Sequence, residues 1–254
     1  MTTQTLFLLG GHDLEMACIA RLLQQYGLPY SDAQLNWQTA LLSHYADELH
    51  IHADRPNQTI YGIELREDIP VPPCYIAIDH HNHRPSRPTS LEQVAALLHH
   101  PLDRYLQLVA ANDAAYIPGM LKLGATPSEI AAIRQADRKE QGITDEQEQL
   151  AEHSLSHGLS RQGDLICVAA ETTAFSPICD RLYPYTRLLI HTPKTWTYYG
   201  HGIPALIHYF AAEIMTQHMY HGGGENGYFG TADGVYTFEE LSHQLTLIPQ
   251  LTAL

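Results

Sequence analysis

The sequence predicts an α/β fold: a doubly wound, mainly parallel sheet in an N-terminal domain, then a second, smaller α/β domain. Three observations predict it. Thr5-Leu6-Phe7-Leu8-Leu9, Thr59-Ile60-Tyr61-Gly62-Ile63 and Cys74-Tyr75-Ile76-Ala77-Ile78 are short apolar runs, the pattern of strands buried on both faces. Helical patterns lie between the first and second of these runs and again after the third, and strands alternating with helices imply right-handed crossovers of a parallel sheet. A polar, charge-mixed helical stretch over 126–157 then precedes a further set of runs.

In order along the chain, the first strand is broken by Gly10-Gly11, and a helix follows from about Glu15 to Tyr26, with Gly27 as its stop and Pro29 beyond. A second helix is expected from about Asn36 to Leu49. The second and third apolar runs are joined by a turn rich in proline (Pro70, Pro72, Pro73). Ser90 is read as an N-cap with Glu92 in the first turn, and Thr126-Pro127-Ser128-Glu129 as another helix start. Leu165–Ala169 and Arg187–His191 read as strands, Ser176-Pro177 as a helix opening, and about Pro204 to Met219 as a helix. The organisation expected is an α/β domain over 1–125, a helical connector over 126–160 and a C-terminal α/β domain over 161–254.

Composition narrows the function. A chain of 254 residues with 44% hydrophobic and 17% charged residues can bury a sizeable core. Its formal charge of −14, with 14 scattered Lys and Arg, disfavours a long nucleic acid, which needs a basic stripe. The four cysteines form no C-x-x-C pair and read as buried thiols in a reducing cytoplasm. No signal-like opening and no apolar run approaching about 18 residues is seen, so neither secretion nor a membrane partner is expected.

The chemistry-bearing residues fall where the apolar runs end. Open α/β sheets place their sites beyond the carboxyl ends of the strands. The first run leads into Gly10-Gly11-His12-Asp13-Leu14-Glu15, the second into Glu64, the third into Asp79-His80-His81. Carboxylates and imidazoles together suit manganese, magnesium, iron or zinc. Plainer readings exist: Asp13 as a helix cap, and Glu64 in an ion pair with Arg66. Asp113 follows a helix-like run amid small residues, Ala110-Ala111-Asn112-Asp113-Ala114-Ala115. Arg84 and Arg87, near prolines, are candidates for a phosphate or plain solvated arginines. His201 and the glycine-rich segment His221–Gly227 are candidate substrate contacts from the second half; glycine there lets backbone N–H groups approach an anion.

With Asp79-His80-His81 on its strand, the chain resembles the DHH phosphoesterase superfamily, as a divergent member similar to family II pyrophosphatases, RecJ-like proteins and exopolyphosphatases. Gly11-His12-Asp13-Leu14-Glu15 resembles the family's first motif, Glu64 its second, the triplet its third and Asp113 its fourth. His12 abuts Asp13 where the family spaces its His further off, Glu15 and Glu64 stand where Asp is usual, and His221 precedes its glycines. The resemblance implies divalent metal, usually Mn2+, held by His12, Asp13, Glu15, Glu64, Asp79, His80 and Asp113. It also implies catalytic roles for Asp79 and His81, the latter facing the substrate or leaving group, and substrate contacts from Arg84, His201, Gly222, Gly223 and Gly224. The function expected is a metal-dependent phosphoesterase or phosphohydrolase of a small phosphorylated or nucleotide substrate. The alternative is a catalytically impaired DHH-like regulatory protein that binds nucleotide or metal.

Overall fold

The structure is a computed structural model that describes residues 4–36, 39–53, 55–80, 87–222 and 227–253. The chain divides into two compact units, Met1–Gly142 and Ile143–Leu254.

In the first unit the order is β1 (Gln4–Leu9), α1 (Leu14–Gln25), β2 (Tyr30–Asp32), α2 (Ala46–His52), β3 (Gln58–Ile63), β4 (Tyr75–Ile78), α3 (Ser90–Leu97), α4 (Arg104–Lys122) and α5 (Pro127–Glu140). Its four strands pair in the order β2-β1-β3-β4, all parallel. Alternation along β1 sends Leu6 and Leu8 to a core with Leu42, Tyr45, Leu49 and Ile60, while buried Phe7 and Leu9 point to the opposite face. Both faces are therefore covered, as a doubly wound sheet requires. The chain leaves β1 on one side for β2 and returns on the other for β3, so the strand order reverses between β1 and β3. Such a switch point opens a crevice at the carboxyl ends of the two strands.

Three expectations for 36–160 differ from the structure. The helix expected from Asn36 begins only as a 3₁₀ turn at Leu42–Tyr45, leading into α2. Asn36 and Thr39 bond each other's backbone and side chains at 3.1 Å, a local turn that competes with helix. The cap of α3 is Thr89, in a capping box with Glu92, and Ser90 is the first helical residue. The expected connector over 126–160 is divided: α5 packs on α1 and α4 in the first unit, and the helix after it belongs to the second.

The second unit contains α6 (Asp145–His157), β5 (Leu159–Gln162), β6 (Leu165–Ala169), α7 (Ser176–Leu182), β7 (Arg187–His191), β8 (Trp196–Gly200), α8 (Ile203–Tyr209), α9 (Ala211–Met215), β9 (Met219–Gly222), β10 (Tyr228–Thr231) and α10 (Phe238–Leu251). Its six strands run β5-β6-β7-β8-β10-β9, parallel only between β6 and β7. One face packs Ile166, Val168, Leu188 and Ile190 with Ile178 of α7. The other packs Trp196, Tyr198 and Phe229 with Leu206, Leu241 and Ile248 of α8 and α10. The single helix expected over 204–219 is two short ones that stop before β9, since Phe210 and Gln217 leave helical geometry. Among the described residues no helix is long and apolar enough to cross a membrane.

Candidate metal centre

Four side chains from four segments meet at the switch point. Glu15, Glu64, His80 and Asp113 each present one donor atom, and these atoms lie within 4.8 Å of one another. Two donors on opposite sides of one ion at about 2.0–2.2 Å stand roughly 4 Å apart, so the spacing is close to that of a shared divalent ion.

Local sequence explains each placement. Asp13 caps α1, its Oδ1 accepting from Met16 N at 2.9 Å, which starts the helix so that Glu15 falls in the first turn. Glu15 Oε1 accepts from Leu91 N at 3.0 Å, at the start of α3. Glu64 leaves β3 with φ +53, a left-handed turn costing a non-glycine residue on the order of 1–3 kcal/mol. Gly10 makes room for that turn: a Cβ on it would lie 2.5 Å from the Glu64 carbonyl oxygen. The Ser90 hydroxyl, released from capping by Thr89, donates to Glu64 Oε1 at 2.7 Å. His80 follows β4, with Nε2 2.6 Å from Asp113 Oδ2, 3.6 Å from Glu64 Oε1 and 3.9 Å from Glu15 Oε2.

Asp113 lies inside α4, not after a helix. That element is two helical pieces joined at Ala115 and Tyr116, where φ is −155 and 53. Pro118 cannot continue the first piece. Gly119 folds against it so closely that a Cβ would stand 2.2 Å from the Ala111 carbonyl oxygen. The small residues around Asp113 thus serve a backbone contact beside a ligand candidate.

The electrostatics fit a cation. The side chains of Glu15 and Glu64 are 1% exposed, that of Asp113 11%. Burying like charges together is costly unless a positive charge joins them. Burial, with Asp113 and Glu64 nearby, holds the Glu15 carboxyl well above the usual carboxylate range. Asp13 is pushed up to about 7, by burial first and then by Glu64. Glu15 Oε2, fully buried, receives no backbone N–H or alcohol from the described residues. Three carboxylates and one imidazole form a mainly hard donor set, suited to Mn2+, Mg2+ or Fe2+ and tolerable for Zn2+.

The other sequence-derived candidates fall elsewhere. Asp13 is buried beside the four as a helix cap, and Gly11 lies between its carboxylate and that of Glu64. His12 is exposed and lines a hollow of about 310 Å³ with Arg21, Tyr30 and Asp32. Asp79 is half-buried and outside the set of four; its carbonyl oxygen lies 3.4 Å from the Gln93 amide. His81, Arg84, Gly223 and Gly224 lie outside the described residues. In the second unit Gly222 ends β9 and pairs with Tyr228 of β10. His201 is exposed and lines a cavity of about 570 Å³ with Arg187, Asp164 and Thr252. Sequence reading missed Ser90 as a partner of Glu64 and Leu91 N as a partner of Glu15. The only signal it leaves is a polar residue at a helix start that follows the Asp79-His80-His81 run.

The molecule is thus of a definable class: two α/β units, the first with a buried acid-and-histidine cluster at its switch point. Neither a protein-family model nor a curated protein matches the sequence. Among solved structures, the fold is that of DHH-domain proteins. A pGpG-specific phosphodiesterase, PggH, from Vibrio cholerae is 10% identical over 99% of each chain, with a TM-score of 0.52. A DHH domain described as a member of a family of ribosomal proteins is 10% identical, with a TM-score of 0.55 over 98% of this chain and 86% of that one. RecJ from Thermus thermophilus, in complex with Mn2+, is 12% identical at a TM-score of 0.42, over 99% of this chain and 51% of that one.

Proposed function

We propose that the protein is a divalent-metal-dependent phosphoesterase acting on a small phosphorylated or nucleotide substrate. The observation that carries this is the convergence of Glu15, Glu64, His80 and Asp113 within 4.8 Å, three carboxylates and an imidazole buried together. These four would hold the ion, with Ser90 and Leu91 N fixing the orientation of Glu64 and Glu15. A bound divalent ion supplies an electrophile that neutralises phosphoryl oxygens and eases attack by water. Asp13, buried beside the cluster, is proposed as a further ligand. Asp79 and His12 are proposed as further ligands, Mn2+ as the preferred ion, and Asp79 and His81 as catalytic groups, with His81 facing the substrate or leaving group. Arg84, His201 and the glycines Gly222, Gly223 and Gly224 are proposed as substrate contacts. The likeness to a pGpG-specific phosphodiesterase supports a phosphodiester among the first substrates to try. The net charge of −14 supports a short substrate over a long nucleic acid.

The test is turnover of bis(p-nitrophenyl) phosphate and of pGpG with added Mn2+, in the wild type and in Glu64→Gln. Metal-dependent hydrolysis lost in the variant supports the reading. Absence of hydrolysis alongside tight, Glu64-dependent Mn2+ binding would favour the alternative, a regulatory protein that binds metal or nucleotide without turnover. The glutamates at positions 15 and 64, one methylene longer than the aspartates of the resembled motifs, favour that alternative.

A further inference from the structure

The α5 helix supplies no residue to the four-atom cluster, yet its buried face is charged. Arg134, Asp137 and Arg138 are all at least nine-tenths buried there. Such a face in a helix is costly unless every charge is engaged. Asp137 Oδ1 accepts from Leu14 N at 3.2 Å, the backbone group between Asp13 and Glu15. Its Oδ2 accepts from Arg134 Nη1 at 2.6 Å and from the Gln141 amide at 3.2 Å. The same Arg134 Nη1 donates to Asn112 Oδ1 at 3.0 Å, on the residue preceding Asp113. The Arg134 guanidinium also lies 4.6 Å from the Tyr116 ring centroid, over the residue at the bend of α4.

One pair of side chains therefore holds the first turn of α1 on one side and the last turn before the α4 bend on the other. We infer that Arg134 and Asp137 are positioning residues that set the spacing between Glu15 and Asp113, and through it the affinity for a divalent ion. The inference rests on the metal reading above. Its chemistry is directional. The guanidinium bonds Asp137 and Asn112 through Nη1 while it lies over the Tyr116 ring; a lysine ammonium keeps the charge but not the planar group over the ring. Groups that orient metal ligands in this way change metal affinity by about 10–100-fold when replaced.

The experiment measures Mn2+ affinity by titration calorimetry at constant pH on the full chain, with circular dichroism of each metal-free variant. Arg134→Lys and Asn112→Ser are compared with the wild type and with Glu64→Gln. The expected result is a native-like spectrum with Mn2+ affinity about 10–100-fold weaker in both variants. In phosphodiester hydrolysis, the Mn2+ concentration for half-maximal rate should rise by the same factor, while the rate at saturating Mn2+ stays near that of the wild type. A folded Arg134→Lys and a folded Asn112→Ser that both bind Mn2+ as the wild type does would overturn the positioning role and leave the metal centre standing. A wild type that binds no Mn2+, or binds it equally well with Glu64→Gln, would overturn the metal centre itself. Should Arg134→Lys fail to fold, Asn112→Ser, which cuts only the link toward Asp113, decides between these outcomes.

Discussion

The two units bury polar groups of different kinds. Among the described residues, the first buries seven ionisable side chains, Asp13, Glu15, Glu64, His80, Arg134, Asp137 and Arg138, alongside the neutral Gln58, Thr89, Ser90 and Asn112. The second buries hydroxyls and an amide, Ser154, Thr172, Thr192, Thr195, Thr197, Thr231, Gln244 and Thr252, with Arg187 as its buried charge. Thr195, Thr231 and the Trp196 backbone satisfy one another at 2.9–3.1 Å, and Trp196 Nε1 donates to Gln244 at 2.8 Å. Neutral networks of this kind close on themselves and stabilise a sheet. Clustered carboxylates do not; they raise the free energy of the folded chain until a cation arrives. Where a domain keeps its costly groups is where its chemistry is expected.

The largest effect that would break this contrast is on turnover. Glu64→Gln should lower metal-dependent hydrolysis by at least about 100-fold, or roughly 2.7 kcal/mol, while the metal-free protein melts no lower than the wild type. A metal-free variant that melts well below the wild type would mean that Glu64 is structural. Next comes the response to metal. Mn2+ at about 100 times its Kd should stabilise the wild type by about 2.7 kcal/mol, read as a rise in melting temperature. The same addition should leave Glu15→Gln nearly unmoved, and an equal rise in both would remove Glu15 from the site.

The acid cluster also has a pH signature. Asp13 is raised from 3.8 to about 7, and Glu15 is raised as well, so the folded metal-free state keeps protons that the unfolded chain releases. That contribution to stability is full below the unfolded values and is lost as pH rises toward 7, at no more than about 1.4 kcal/mol per pH unit per carboxyl. Denaturant midpoints in EDTA should therefore fall between about pH 5 and pH 7. Asp13→Asn, which can still cap α1, should flatten part of that slope. An unchanged slope would show that Asp13 titrates normally. The smallest effect on the metal site belongs to the second unit: Gln244→Leu leaves Trp196 Nε1 unsatisfied and should cost about 1–3 kcal/mol of stability with Mn2+ affinity unaltered. A loss of metal affinity there would deny the division of roles.

Much of the first unit was legible because parallel strands are continuous apolar runs. β1, β3 and β4 match the expected runs to within a residue, as do β6 and β7, which form the parallel pair of the second sheet. The antiparallel β8, β9 and β10 were not legible, since their alternating threonines, tyrosines and glycines mimic loop composition, and neither was α10. Of the four clustered residues, all were legible as acids or histidine at strand ends or amid small residues. Arg134 and Asp137 were not. They sit in a polar helix that reads as solvated, and their partners Asn112 and Leu14 are 22 and 123 residues away. Proximity of that kind is a product of tertiary packing, invisible to local pattern.

The convergence of Glu15, Glu64, His80 and Asp113 also governs how the first unit opens. Any ion they share ties together points roughly 100 residues apart along the chain, spanning α1, the ends of β3 and β4, and α4. Local opening of any one of these segments must then release the ion first, so segments that would exchange amide hydrogens independently become a single cooperative block. Bound metal should slow amide exchange across α1, β3 and α4 together, while α8 and α10 keep their own rates.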